Sequence, residues 1–209
     1  MPETVTVYFD YLCPFAWRGA EVAEMVASEL AIKFVWKHFS LYQNNYQSTS
    51  QKNGHWQLWN ERIDPADEDG TKGLLPFLAS CAARRQGEEA YRAFRLGALR
   101  ARHQRCQAFT LTQVLHVARE AGLHLPRFEE DLANPECRTM LAKEHYQAAA
   151  LNVFGTPTFH FSSGHLAYFR LAKLPERARE TVELFTDYKK LLETYPYLET
   201  IKRPRVRGN

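Results

Sequence analysis

A chain of 209 residues, 45% hydrophobic and 24% charged, has the make-up of a folded globular protein and not of a disordered or fibrous one. Its formal net charge of +3 is too small to argue for nucleic acid as a partner. No apolar stretch reaches the ~18 residues of a membrane span, and no basic residue precedes Arg18, so neither a span nor a cleaved export signal is expected and the chain reads as cytoplasmic.

Thr4 to Phe9 is a run of β-branched and aromatic residues that suits a buried strand. Asp10-Tyr11-Leu12-Cys13-Pro14 follows, and a helix is predicted from about Phe15 to Leu30, with Val22, Met25, Val26 and Leu30 at helical spacing. Pro14 suits a first helical turn, where no hydrogen bond is lost and φ is already set. Ala31 to Phe39 alternates as a second strand, with Ile32, Phe34 and Trp36 on one side. Strand, helix and strand make a parallel βαβ unit with a right-handed crossover.

Gln43 to His55 is polar and reads as a long loop or lid. A short Trp56–Arg62 segment and the Asp64-Pro65-Ala66-Asp67-Glu68-Asp69-Gly70 loop follow. From Leu74 to about Asn152 the pattern is helical, punctuated at Gly87, Cys106–Thr110, Gly122 and Asn134. Thr112 suits the cap of a helix that Gly122 ends, and Asn134-Pro135 suits the cap and first turn of the next. Thr158 to Phe161 restores strand character, Ser162-Ser163-Gly164 supplies a hairpin turn, and His165 to Leu171 makes the return strand. A last helix runs from Pro175 to about Thr194, with Val182, Phe185, Leu191 and Leu192 on its apolar face. Lys202, Arg203, Arg205 and Arg207 then read as a solvated basic tail. The order is that of an α/β protein whose core is split by an all-helical insertion: 1–54 and 151–195 form the core, 55–150 the insertion and 196–209 the tail.

Cys13 stands at the carboxyl end of the first strand, where ligands collect in parallel sheets. Free N–H groups and the helix dipole there favour a thiolate and can lower a cysteine pKa from ~8.5 to between ~3.5 and ~7.5. Position alone does not separate this from a buried, inert core cysteine. Val153-Phe154-Gly155-Thr156-Pro157-Thr158-Phe159 places a proline just before a strand. X-Pro bonds are cis in only ~5–6% of cases, but a cis bond here would free the backbone of Thr156 to pair with an extended substrate.

Taken together, Phe9-Asp10-Tyr11-Leu12-Cys13-Pro14-Phe15-Ala16 and Gly155-Thr156-Pro157-Thr158-Phe159 resemble the strand–Cys-Pro–helix motif and cis-proline loop of the DsbA-like thioredoxin superfamily. The likeness is greatest to its FrnE-like cytoplasmic branch. Trp36-Lys37-His38-Phe39-Ser40-Leu41 and Ala118-Arg119-Glu120-Ala121-Gly122-Leu123 are similar in register, and the resemblance runs from about Val5 to Leu192. It implies a thioredoxin-like fold with a helical insertion, Pro157 cis and across from Cys13, and a thiol or disulfide substrate. Cys13 would be catalytic, with Pro14, Phe15, Thr156 and Pro157 around the substrate and His38 on the cleft rim.

One departure matters. Redox members carry Cys-Pro-x-Cys, and here Ala16 takes the second cysteine position. Without a resolving thiolate, a mixed disulfide on Cys13 has to be released from outside, which implies monothiol chemistry with glutathione or an equivalent small thiol as co-substrate and no tightly bound cofactor. Cys81, Cys106 and Cys137 form no CxxC pair and read as reduced core or surface thiols, an internal resolver being the minority reading. The same motif with Ser for Cys belongs to kappa-class glutathione transferases and 2-hydroxychromene-2-carboxylate isomerases, which makes a glutathione-dependent transferase or isomerase the main rival. A non-enzymatic peptide-binding module is the third reading. His103 and Cys106 lack a second ligand pair, so no metal is expected. Arg84-Arg85 and the arginines from Arg95 to Arg105 read as outward-facing helix charge. No membrane or nucleic-acid partner is expected, and a homodimer is left open.

Overall fold

The computed structural model describes residues 2–49 and 55–203. It opens with the βαβ unit: β1 (Glu3–Phe9), α1 (Pro14–Glu29) and β2 (Ile32–His38). After α2 (Leu41–Thr49) and a 3-10 turn (Leu58–Asn60) come five helices, α3 (Leu74–Arg84), α4 (Glu88–His103), α5 (Leu111–Glu120), α6 (Leu125–Leu132) and α7 (Pro135–Ala150). β3 (Thr158–His160), β4 (Leu166–Tyr168) and α8 (Ala178–Thr194) complete the described chain. The four strands form one sheet in the order β2-β1-β3-β4. β1 runs parallel to β2 and antiparallel to β3, and β3 is antiparallel to β4. This is an α/β fold with helices inserted between the two halves of the sheet.

Register follows from what each face buries. Val7 is opposite Trp36 on one side and Phe159 on the other, and all three are buried. Phe185 of α8 packs against this face among the rings of Phe34, Phe159, Phe161 and Phe169. A side chain of that size stabilises the fold by roughly 1.5–3 kcal/mol through burial alone. On the opposite face Tyr8 joins Phe39, Ala148 and Val153 in a smaller cluster that seats the end of α7. α3 is buried along Leu74–Ala83 and is the axle of the helical block, packed by α4, α6 and α7.

Several expectations need correction. The polar stretch after β2 is a helix up to Thr49, and residues 50–54 of the expected lid lie outside the described chain. Its buried residue is Gln43, whose carboxamide accepts from the Leu58 N–H at 2.7 Å and donates to the Trp56 carbonyl at 3.4 Å. Helix α5 is capped by Thr110, not Thr112: its hydroxyl accepts from the Gln113 N–H at 3.3 Å. Asn134 caps α7 as its sequence suggests, accepting from the Glu136 N–H at 2.9 Å. Arg95 does not face outward; it is 2% exposed and lies 4.3 Å over the Trp36 ring, where aromatic faces take the place of water. Cys81 and Cys137 are not thiols but form a buried disulfide joining α3 to α7, with Cα atoms 5.5 Å apart. Lys202 and Arg203 are exposed, and Arg205 and Arg207 lie outside the described residues.

Candidate active site

Cys13 is the residue before the first turn of α1, with Pro14 at the first helical position. Its Sγ donates to the carbonyl oxygen of Thr156 at 3.2 Å, bridging 143 positions of sequence. The Thr156–Pro157 peptide bond is cis. The Pro157 ring rests on α1, where a Cβ built on Gly19 would stand 2.5 Å from its Cγ, so only a glycine admits it. The Pro157 carbonyl accepts from the Phe169 N–H at 2.9 Å, which ties the loop to the segment leaving β4.

The turn between β1 and Cys13 is gripped from three directions. Asp10 is buried and accepts from the Leu12 N–H at 2.8 Å and the Leu41 N–H at 2.7 Å. Burial pushes its carboxyl up to about 6, against the pull of those two N–H groups. His103 Nε2 lies 2.8 Å from the Tyr11 carbonyl, and its ring stacks on Trp17. Gly73, with φ +84°, starts α3 so near that a Cβ there would be 3.2 Å from Leu12 Cδ1.

The electrostatics differ from the expectation of a depressed thiol. Cys13 is 6% exposed. Desolvation pushes its thiol above the ordinary value, with the Asp10 charge adding to the rise, while Thr156 and the N–H groups of Ala16 and Phe15 pull it down. Burial wins, because removing an anion from water outweighs a few dipoles. The resting sulfur is therefore a thiol held by a carbonyl. The Thr156 hydroxyl is buried and, among the described residues, has no hydrogen-bond partner while the sulfur is protonated; its pull on Cys13 is exerted on the charged form.

His38 is not on a rim. It is wholly buried, with Nδ1 2.7 Å from Glu144 Oε2 and Nε2 2.9 Å from Ser80 Oγ. Glu144 also accepts from Arg84 at 2.8 Å and from the His38 N–H at 2.8 Å. Burial opposes its charge, but His38 and Arg84 hold the carboxyl down at about 2. This cluster bolts β2 to α3 and α7 and takes up both ring nitrogens of His38.

Phe15 is half-buried in the first turn of α1, with the Arg170 guanidinium 3.7 Å and that of Arg18 5.5 Å from its ring centroid. Arg18 Nη1 donates to the Leu171 carbonyl at 3.1 Å. The structure thus gathers Cys13, Pro14, Phe15, Thr156 and Pro157 and leaves His38 out. Asp10, Gly19 and His103 support the site, a part that the sequence did not suggest for them: Asp10 stands inside the Phe9–Ala16 motif without a role, and His103 reads there only as a metal ligand without a second pair. Among the described residues no group of three His, Cys, Asp or Glu side chains could hold a metal ion, and no helix is long and apolar enough to cross a membrane.

A cysteine starting a helix opposite a cis-proline loop is one signature; the match of residues 4–175 to the DSBA-like thioredoxin domain is the other. The chain belongs to the DSBA-like thioredoxin family. No curated protein sequence matches it. Among solved structures it is similar to a thioredoxin-like oxidoreductase from Silicibacter pomeroyi DSS-3, at 23% identity over 90% of this chain and 87% of that one, with a TM-score of 0.58. A 2-hydroxychromene-2-carboxylate isomerase matches at 16% identity over 94% and 100%, TM-score 0.63. The cytosolic disulfide reductase DsbM from Pseudomonas aeruginosa, solved with GSH, matches at 16% over 93% and 100%, TM-score 0.56. Members of this family include thiol–disulfide oxidoreductases, and these similarities place the present chain in their fold.

Proposed function

We propose that this protein is a monothiol thiol–disulfide oxidoreductase acting through Cys13. The observation that carries the reading is the sulfur lying 3.2 Å from the Thr156 carbonyl, next to the cis bond to Pro157. A substrate strand that pairs with Thr156 takes that carbonyl as its own hydrogen-bond acceptor and releases the thiol from it. The Cys13 thiolate then attacks one sulfur of RS–SR, forming Cys13–S–S–R and expelling RS⁻. Ala16 is fully buried where a resolving sulfur would stand, and Cys81 and Cys137 are joined to each other. A small external thiol such as glutathione closes the cycle: its thiolate attacks the substrate sulfur of the mixed disulfide, giving a new disulfide and restoring the Cys13 thiolate. The reading makes the protein a cytoplasmic enzyme of the FrnE-like branch, with burial shielding Cys81–Cys137 from the reducing pool.

Treatment with glutathione disulfide should place one glutathionyl adduct on Cys13, discharged by excess glutathione. Adduct formation should accelerate as pH rises through neutrality, because a thiol raised by burial must first lose its proton. Cys13→Ala should abolish turnover. Activity that survives this change, or an adduct confined to Cys106, would overturn the proposal.

A second reading rests on the same hydrogen bond. A buried thiol that turns its one proton from this carbonyl to the thiolate of bound glutathione can act as a serine hydroxyl would in an isomerase or transferase. Under it, Cys13→Ser retains turnover of an electrophile; under the exchange reading, Cys13→Ser is inactive.

A further inference from the structure

We infer that Arg170 and Arg18, which share the Phe15 ring, form the specificity-determining site for the carboxylate of a small disulfide substrate. The inference rests on the reading of Cys13 as the exchange nucleophile. Phe15 is two residues from that cysteine and stacks beneath Arg170 at 3.7 Å from the ring centroid. Arg18 approaches the same ring at 5.5 Å and is fixed by its bond to the Leu171 carbonyl. Arg170 is also tied to the site by chain connectivity, since Phe169, the residue before it, bonds the Pro157 carbonyl.

Neither guanidinium has a carboxylate partner among the described residues. Two acids of α1, the helix of Arg18, are committed elsewhere: Glu21 accepts from Arg100 at 2.6 and 2.7 Å, and Glu24 pairs with Arg92 and Arg95. Asp10 is buried and spent on two backbone N–H groups. Lys173, the next cation along the segment from Arg170, pairs instead with Glu176 at 4.0 Å. Two guanidinium groups without a carboxylate partner thus share one aromatic ring, on the residue two places after the reactive cysteine. Stacking on the ring costs Arg170 none of its in-plane N–H donors, and those donors match a carboxylate in a two-point bond. The amino acid and peptide thiols of a cell present such a carboxylate a few bonds from sulfur; neutral and cationic disulfides do not.

The test compares three disulfides of different charge as targets of Cys13: glutathione disulfide, 2-hydroxyethyl disulfide and cystamine. The readout is the rate of mixed-disulfide formation on Cys13 by mass spectrometry, at low and at high salt. The wild type should prefer glutathione disulfide to cystamine, and the preference should shrink in salt. In the Arg170→Gln, Arg18→Gln double variant the rate with glutathione disulfide should fall about tenfold or more, while 2-hydroxyethyl disulfide stays within about twofold and cystamine gains. Arg170→Lys should restore part of the loss by charge alone. Equal loss with the anionic and the neutral disulfide would overturn the inference and leave the exchange reading standing. A Cys13 silent toward all three, in a protein with wild-type circular dichroism, would overturn both.

Discussion

At Thr156 two oxygens face the same reaction with opposite consequences. Its carbonyl accepts from the Cys13 thiol, so it stabilises the protonated sulfur. Its hydroxyl is buried with no partner among the described residues, and a hydroxyl can donate to a thiolate. Leaving such a group unsatisfied costs on the order of 1–3 kcal/mol, a cost removed when the sulfur ionises. Thr156→Val should therefore raise the Cys13 pKa further and slow alkylation at neutral pH, with global stability unchanged or slightly higher. A pH profile of iodoacetamide modification, read beside a urea melt, checks both parts. Unaltered thiol reactivity in the Thr156→Val variant would show that the hydroxyl plays no part in activating the sulfur. The local pattern of β-strand followed by Cys-Pro made the sulfur's place legible. Its state of protonation was not, because that depends on how much water α1 and the Thr156 loop exclude together.

Among the elements, the seating of the Pro157 loop on α1 decides whether sulfur and carbonyl meet. Gly19 is a helix-interior glycine, ordinarily worse than alanine by about 1 kcal/mol, and helix propensity alone would favour replacing it. The space says otherwise, since a Cβ would meet Pro157 at 2.5 Å. Gly19→Ala should keep the helix, push the loop away from Cys13 and lower exchange activity by at least about tenfold; parallel circular dichroism and turnover measurements check it. Local chemistry made most elements readable: Asn134 caps α7 because its partner is two residues away. α2 escaped because its inward residue is the amide side chain of Gln43, satisfied by backbone from the far side of residues 50–54. Hydrophobic periodicity has nothing to register there. His38 looked like a rim residue for a related reason, its partners Ser80 and Glu144 lying 42 and 106 positions away.

For the molecule as a whole, the helical block is held to itself by the Cys81–Cys137 bond between α3 and α7, across 56 positions. Cross-linking a loop of that length removes chain entropy worth about 4 kcal/mol on the loop-closure scale. A Cys81→Ala, Cys137→Ala double variant should melt at a lower temperature than the oxidised protein and lose its difference from it when both are kept reduced. Its Cys13 exchange rate per folded molecule should be unchanged, because neither sulfur lies in the Cys13–Pro157 site. A matching loss of exchange would instead make the pair part of the catalytic cycle. No spacing rule pointed to this bond; only the packing of two distant helices brings the sulfurs together.

Asp10 joins two segments that the chain order keeps apart. One oxygen of its carboxylate holds Leu12, one step from the reactive sulfur, and the other holds Leu41 at the start of α2. The two segments are thus yoked through a single short side chain, and a load applied to either is felt by its neighbour. Whatever settles against α2 tugs on the turn that aims the sulfur, and a substrate drawn against that turn stiffens α2 in return.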